Sequence, residues 1–230
     1  MNLLITIYSL VVTILVYLVS RKVAQKFPSP FTTPVFLSTT LIIVILLFSH
    51  ITYEEYAIAK DIMTYLLGPA TVALAVPLYK HRFIVLNNLI PAIIGLTVGS
   101  ISTILVAIML AKWFHLKELI LASMSIKSIT IPVAAEVSKI IGADAVLVAG
   151  FVMITGMCGA MFGPPIMNML RIKHPFARGL SMGTIAHGIG TAEVAKEGEL
   201  QGAVAGIAMG LAAVFTSLVI PFLLPVLLKW

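Results

Sequence analysis

The chain has 230 residues, of which 60% are hydrophobic and 10% charged, with a net charge of +6. So little charge cannot clothe a soluble domain in a wetted surface, and the apolar runs leave almost no room for one. The basic residues lie in short loops between apolar runs, so membrane orientation explains the charge better than nucleic acid does.

In chain order, the longest apolar runs are Phe27 to Ser49, Phe83 to Ala111, Ala145 to Leu170 and Leu200 to Leu228, and none contains Asp, Glu, Lys or Arg. About 20 apolar residues in a helix cross a hydrocarbon core roughly 30 Å thick. The runs lack alternation of period two, which excludes a membrane β-barrel. The expected fold is all-α: a polytopic helical membrane protein, a single integral membrane domain over 1–230, with about 7–8 membrane segments. The segments read as 3–20, 31–49, 61–79, 88–111, 118–141, 145–170, 179–196 and 202–228. The first has no basic residues ahead of it and Arg21-Lys22 behind it, so it reads as a retained span rather than a cleaved leader. Arg21, Lys22 and Lys26, then Lys80, His81 and Arg82, then Arg171, Lys173, His174 and Arg178 mark cytoplasmic loops. That alternation holds over all three loops if 118–141 enters the membrane and returns to the same face, although Lys112 and Lys117 then lie outside.

Two segments carry the polar residues. Segment 118–141 holds Ser123, Ser125, Lys127, Ser128, Thr130 and Pro132. Segment 179–196 holds Ser181, Thr184, His187, Gly188, Gly190, Thr191 and Glu193. Broken helices around a polar site, as in secondary transporters, accommodate both. A lysine facing lipid at a helix centre costs roughly 2.5–3.5 kcal/mol. Lys127 therefore reads as the charge of a small-carboxylate site, with Ser128 and Thr130 donating hydrogen bonds and a helix starting near Pro132 adding its positive end. The alternatives are a lysine that snorkels to the interface or pairs with Glu136. Glu136 and Lys139 read as an i,i+3 pair, with ion coupling by Glu136 as the other option. His187 titrates near neutral pH in its unperturbed state, so it reads as a ligand or proton-handling group, or else as a histidine bonded within a helix break. Gly188 and Gly190 let a ligand approach the backbone, and Thr191 reads as the cap of the following helix.

Gly68-Pro69-Ala70-Thr71 echoes Gly188-Ile189-Gly190-Thr191, and Gly95-x-x-x-Gly99 echoes Gly206-x-x-x-Gly210. The echo is either an internal repeat, which adds Thr71 to the site, or chance in a chain rich in Gly and Ala. Gly163-Pro164-Pro165 reads as a kink, and Cys158 as a packed thiol with no disulfide partner. There is no Walker loop, HExxH or Cys-His metal spacing, so the reading is of no enzyme, no cofactor and no metal.

Several tracts resemble one family. They are the run Pro69-Ala70-Thr71-Val72-Ala73-Leu74-Ala75-Val76-Pro77-Leu78-Tyr79, Lys127-Ser128-Ile129-Thr130, Ala177-Arg178-Gly179-Leu180-Ser181-Met182-Gly183-Thr184 and Ala186-His187-Gly188-Ile189-Gly190-Thr191-Ala192. In order and over nearly the whole chain, this is similar to the LrgB/CidB family. Phe27-Pro28-Ser29-Pro30-Phe31 looks closer to its CidB-like branch. Ile126 departs from the pattern, standing where the family typically has proline. The resemblance implies a multi-pass protein of the bacterial cytoplasmic (inner) membrane, compatible with self-association, that works with a small LrgA/CidA-type membrane protein. It also implies two competing functions. One is holin-like or antiholin-like modulation of murein hydrolase activity and cell lysis. The other is movement of small monocarboxylates such as pyruvate, glycolate or glycerate, as in the C-terminal half of the plastidial glycolate/glycerate translocator. The residues favour the carrier, with Lys127, Ser128 and Thr130 facing His187 and Thr191, and proton coupling through His187.

Overall fold

The computed structural model describes every residue except Met1, Asn2, Pro28, Leu67, Gly68, Ala70 to Leu74, His81 and Trp230. The described chain is helical and contains no strand, in two compact units, Met1–Leu74 and Ala75–Trp230.

In the first unit, α1 (Leu3–Lys26) packs against α2 (Pro34–Phe48) and α3 (Tyr53–Tyr65). Helix α1 continues through Arg21, Lys22 and Lys26 beyond the apolar run, because hydropathy marks where the oil ends and not where the backbone must stop coiling. Its buried positions, Thr6, Ser9 and Ser20, are small, which lets neighbours approach closely. Thr52 and Glu55 form a capping box at the start of α3 and satisfy two otherwise unpaired N–H groups. A groove of about 450 Å³ along α1 has apolar walls at Leu15, Leu18 and Val19 and polar residues Arg21, Lys22 and Gln25. It contains none of the candidate site residues.

The second unit contains α4 (Ala75–Lys80), α5 (Arg82–Asn87), α6 (Leu89–Trp113), α7 (Glu118–Ser125), α8 (Ile131–Ile141), α9 (Ala145–Met169), α10 (Pro175–Val194) and α11 (Glu199–Lys229). Across the described chain, α1, α6, α9 and α11 are long and apolar enough to cross a membrane. Their exposed large apolar side chains, such as Ile93, Ile154 and Phe222, suit lipid and not water. The expected kink at Gly163-Pro164-Pro165 does not interrupt α9, which runs through both prolines to Met169. Cys158, expected to be packed, lies on the exposed side of α9. It is a small apolar thiol that lipid tolerates as well as a core does.

The polar segment 118–141 is broken, as its composition predicts. Helices α7 and α8 have 8 and 11 residues. At 1.5 Å per residue they reach only about 12 and 17 Å, so neither crosses a membrane alone. The break spans Ile126 to Thr130 and forms without a proline at 126. Ile126 and Ile129 fix it. Both are almost fully buried, in one cluster with Ile104 and Ile108 of α6, Val152 of α9 and Ile220 of α11. Burying an isoleucine stabilises by roughly 1.5–3 kcal/mol, so two of them hold an irregular backbone firmly.

Helix α10 carries an arginine, two threonines and a histidine, yet more than half its residues are buried. It packs against α6, α9 and α11. Small residues allow this. A Cβ at Gly183 would strike the backbone of Ala205 in α11, and one at Gly159 of α9 would strike Ala186 of α10. Neighbouring helices shield Arg178, Thr184, His187 and Thr191 of α10 from lipid.

Candidate functional site

The break between α7 and α8 presents Lys127 and Ser128 opposite α6. The Lys127 ammonium donates to Thr103 Oγ1 at 2.8 Å and to Ser128 Oγ at 3.3 Å. The two hydroxyls lie 3.2 Å apart. Lys127 is half-buried, and among the described residues no carboxylate comes within ion-pair distance of it. Its charge is thus met by two neutral oxygens only, and the third N–H of the ammonium has no protein acceptor among the described residues. Thr130 is the backbone cap of α8 but makes no side-chain capping bond, and Pro132 occupies the first turn.

His187 interrupts α10. It has φ 40° and ψ −135°, preceded by Ala186 at φ −107° and ψ 15°. A non-glycine residue held in such a region costs of order 1–3 kcal/mol. The surroundings hold it there. The ring is 4% exposed, and Nε2 donates to the Val152 carbonyl of α9 at 3.0 Å. A carbonyl only accepts, so Nε2 carries the hydrogen. In the neutral ring that leaves Nδ1 as an acceptor.

Gly156 of α9 makes room for the ring. A Cβ there would lie 2.6 Å from His187 Cε1, 2.7 Å from Nε2 and 2.8 Å from Ile189 Cδ1. Gly156→Val is therefore expected to displace the imidazole, break its bond to Val152 and destabilise by about 1–3 kcal/mol. Gly150 lies on the same helix and faces open space, so Gly150→Ala is expected to stabilise by up to about 1 kcal/mol through helix propensity. Thermal unfolding of the two variants in detergent checks the pair, and equal shifts in the same direction would rule out the crowding argument.

Thr191 does not cap a following helix. Its hydroxyl donates to the His187 carbonyl at 2.8 Å, bonding back within α10 across the turn that the break opens. Gly190 lies against Ala186 and Met182, so its missing side chain serves packing, while Gly188 meets Met209 Sδ at ordinary contact distance. Glu136 is not drawn toward Lys127. It pairs with Lys139 at 2.8 and 2.9 Å on an exposed face. Thr71 and most of the tract around it lie outside the described residues.

Two features escaped sequence reasoning. Thr103, which bonds Lys127, is one hydroxyl among several in an uncharged span. Arg178, counted above as a loop charge, is buried within α10 at 7% exposure. It donates to both carboxylate oxygens of Glu197 at 2.6 Å, and to Asn168 Oδ1 and the Ile172 carbonyl at 2.9 Å. An isolated guanidinium in the middle of a basic loop tract gives no signal of that.

Comparison with known proteins identifies the scaffold. The model of the LrgB-like family matches residues 13–226. The chain belongs to the LrgB-like family. Among relatives of this LrgB-like membrane protein is the uncharacterized protein YwbG of Bacillus subtilis (strain 168). It is 37% identical over 218 residues, covering 95% of this chain and 97% of that protein. The uncharacterized protein YxaC of the same strain is 35% identical over 213 residues, 93% of each. The antiholin-like protein LrgB of Bacillus cereus (strain B4264) is 32% identical over 193 residues, 84% of each. No solved structure matches.

Proposed function

We propose that this LrgB-like chain is an antiholin-like component of the bacterial cytoplasmic membrane. On this reading it works with a small LrgA/CidA-type membrane protein and modulates murein hydrolase activity and lysis. The observation that carries it is the similarity to the Bacillus cereus protein named antiholin-like, over 84% of both chains. The test is dye retention in liposomes. The small partner alone is expected to release dye, and co-reconstitution with this chain is expected to suppress the release. Release unaffected by this chain would overturn the reading.

A second reading, a carrier of small monocarboxylates, is favoured by one feature of the site. Lys127 is an ammonium with no carboxylate partner among the described residues, set at a helix break where α8 begins. Charge and helix terminus both attract an anion, and discontinuous helices with N-termini turned toward an anionic solute are a transporter device. In this reading Lys127, Ser128 and Thr130 hold the carboxylate, and His187 and Gly188 form the opposite wall, with Gly190 and Thr191 supporting the break behind them. Saturable uptake of radiolabelled pyruvate by proteoliposomes that retain dye supports the carrier. Leakage that grows with protein density and ignores solute identity supports a holin-type pore.

A further inference from the structure

We propose that Thr184 is a specificity-determining contact of the Lys127 site, a hydroxyl that reads the part of the solute away from its carboxylate. The proposal rests on the carrier reading above and names a residue that reading does not use.

Helix α10 carries three hydroxyl side chains. Ser181 donates to the Ala177 carbonyl at 2.8 Å, and Thr191 to the His187 carbonyl at 2.8 Å. This back-bonding to the residue four positions earlier is how a hydroxyl in a buried helix ordinarily satisfies itself. Thr184 does not use it. Its Oγ1 is buried and has no hydrogen-bond partner among the described residues, although the residue is only 3% exposed. A buried hydroxyl left unpaired costs about 1–3 kcal/mol, so its rotamer calls for a reason.

Position supplies one. The Thr184 methyl lies against Gly99 of α6, 3.4 Å from where a Cβ would stand. Gly99 is one turn from Thr103, whose hydroxyl accepts from Lys127. Thr184 is three residues before His187, where α10 breaks. Thr184 therefore packs on α6 within one turn of the residue that bonds the ammonium. Ser100 of α6, next to Gly99, is a second buried hydroxyl with no partner among the described residues, at 2% exposure. Ser100 and Thr184 are thus two buried hydroxyls on packed helices that depart from the rule that buried polar groups are hydrogen-bonded. On this proposal the oxygen on the carbon next to a Lys127-bound carboxylate meets Thr184, whose hydroxyl either donates to a keto oxygen or accepts from a hydroxyl.

The test measures binding of acetate, pyruvate and lactate to the purified full chain in detergent, for wild type, Thr184→Val and Thr184→Ser. Valine keeps the shape and removes the hydroxyl, and serine keeps the hydroxyl. Thr184→Val is expected to weaken pyruvate and lactate about fivefold or more and leave acetate within twofold. Thr184→Ser is expected to stay near wild type for all three. A fold or packing defect would weaken all three acids together and would not be rescued by serine. Equal loss for acetate and lactate, or no loss for any acid, overturns the role of Thr184 while leaving the carrier reading intact. If wild type binds none of the acids, the carrier reading itself falls, and this proposal with it.

Discussion

Arg178→Ala is expected to destabilise the folded protein by about 3–5 kcal/mol, read as a large fall in Tm in detergent, because it breaks a buried ion pair from one side. The guanidinium makes a two-pronged contact with Glu197, each N···O distance being 2.6 Å, and its remaining nitrogen reaches Asn168 and the Ile172 carbonyl. Bidentate charge-assisted bonds are the strong class. Their partners sit at the end of α9, in the connection to α10, and in the connection to α11, so one side chain joins three consecutive helices. Removing it leaves Glu197, a side chain only 25% exposed, beside an amide and a carbonyl that have lost their donor. Arg178→Lys keeps the charge but not the planar fork and is expected to fall between wild type and alanine. In Arg178→Met combined with Glu197→Leu no buried charge is stranded, so the double variant should be more stable than Arg178→Ala. An alanine variant that melts with wild type would show the pair to be energetically idle.

The same arginine marks a limit of reading sequence. It was counted with Arg171, Lys173 and His174, three residues that are not buried. Its partner is 19 residues away and on the far side of α10, so no local pattern connects them. The long apolar spans were legible because composition alone excludes charge from them. The break in 118–141 was legible because a lysine, hydroxyls and a proline cannot continue one lipid-facing helix. What the composition does not show is which face each residue takes. Ile126 and Ile129 are drawn into the core, and Lys127 and Ser128, between them, meet α6. A histidine bonded within a helix break was one of the two readings of His187, and the positive φ falls on that residue. Gly190 is occupied in packing against Ala186 and Met182, while the Val152 carbonyl anchors the imidazole, so the strain settles on the residue with the strongest tether. Thr191 was read as a cap because a threonine after a break ordinarily caps, and the free His187 carbonyl drew its hydroxyl instead.

Lys127→Met is expected to separate stability from binding. Methionine fills much the same space without charge. The ammonium is half-buried and, among the described residues, faced only by the Thr103 and Ser128 oxygens, so part of its lost hydration goes unreturned, and its removal is expected to leave the Tm unchanged or raise it. A residue retained for the fold would behave in the opposite way. If the carrier reading holds, the same substitution removes the charge that a carboxylate binds. A hydrogen bond to a charged group contributes about 1.5–3 kcal/mol, so pyruvate affinity and uptake are expected to fall by roughly 10- to 100-fold. Lys127→Arg should not restore them, since a rigid fork cannot reproduce a point donor aimed at two hydroxyls 3.2 Å apart. Gain in stability with loss of binding is the signature of a group kept for function at the expense of the fold. Loss of both in proportion would make Lys127 a structural lysine, and wild-type uptake by the methionine variant would remove the carboxylate from this break.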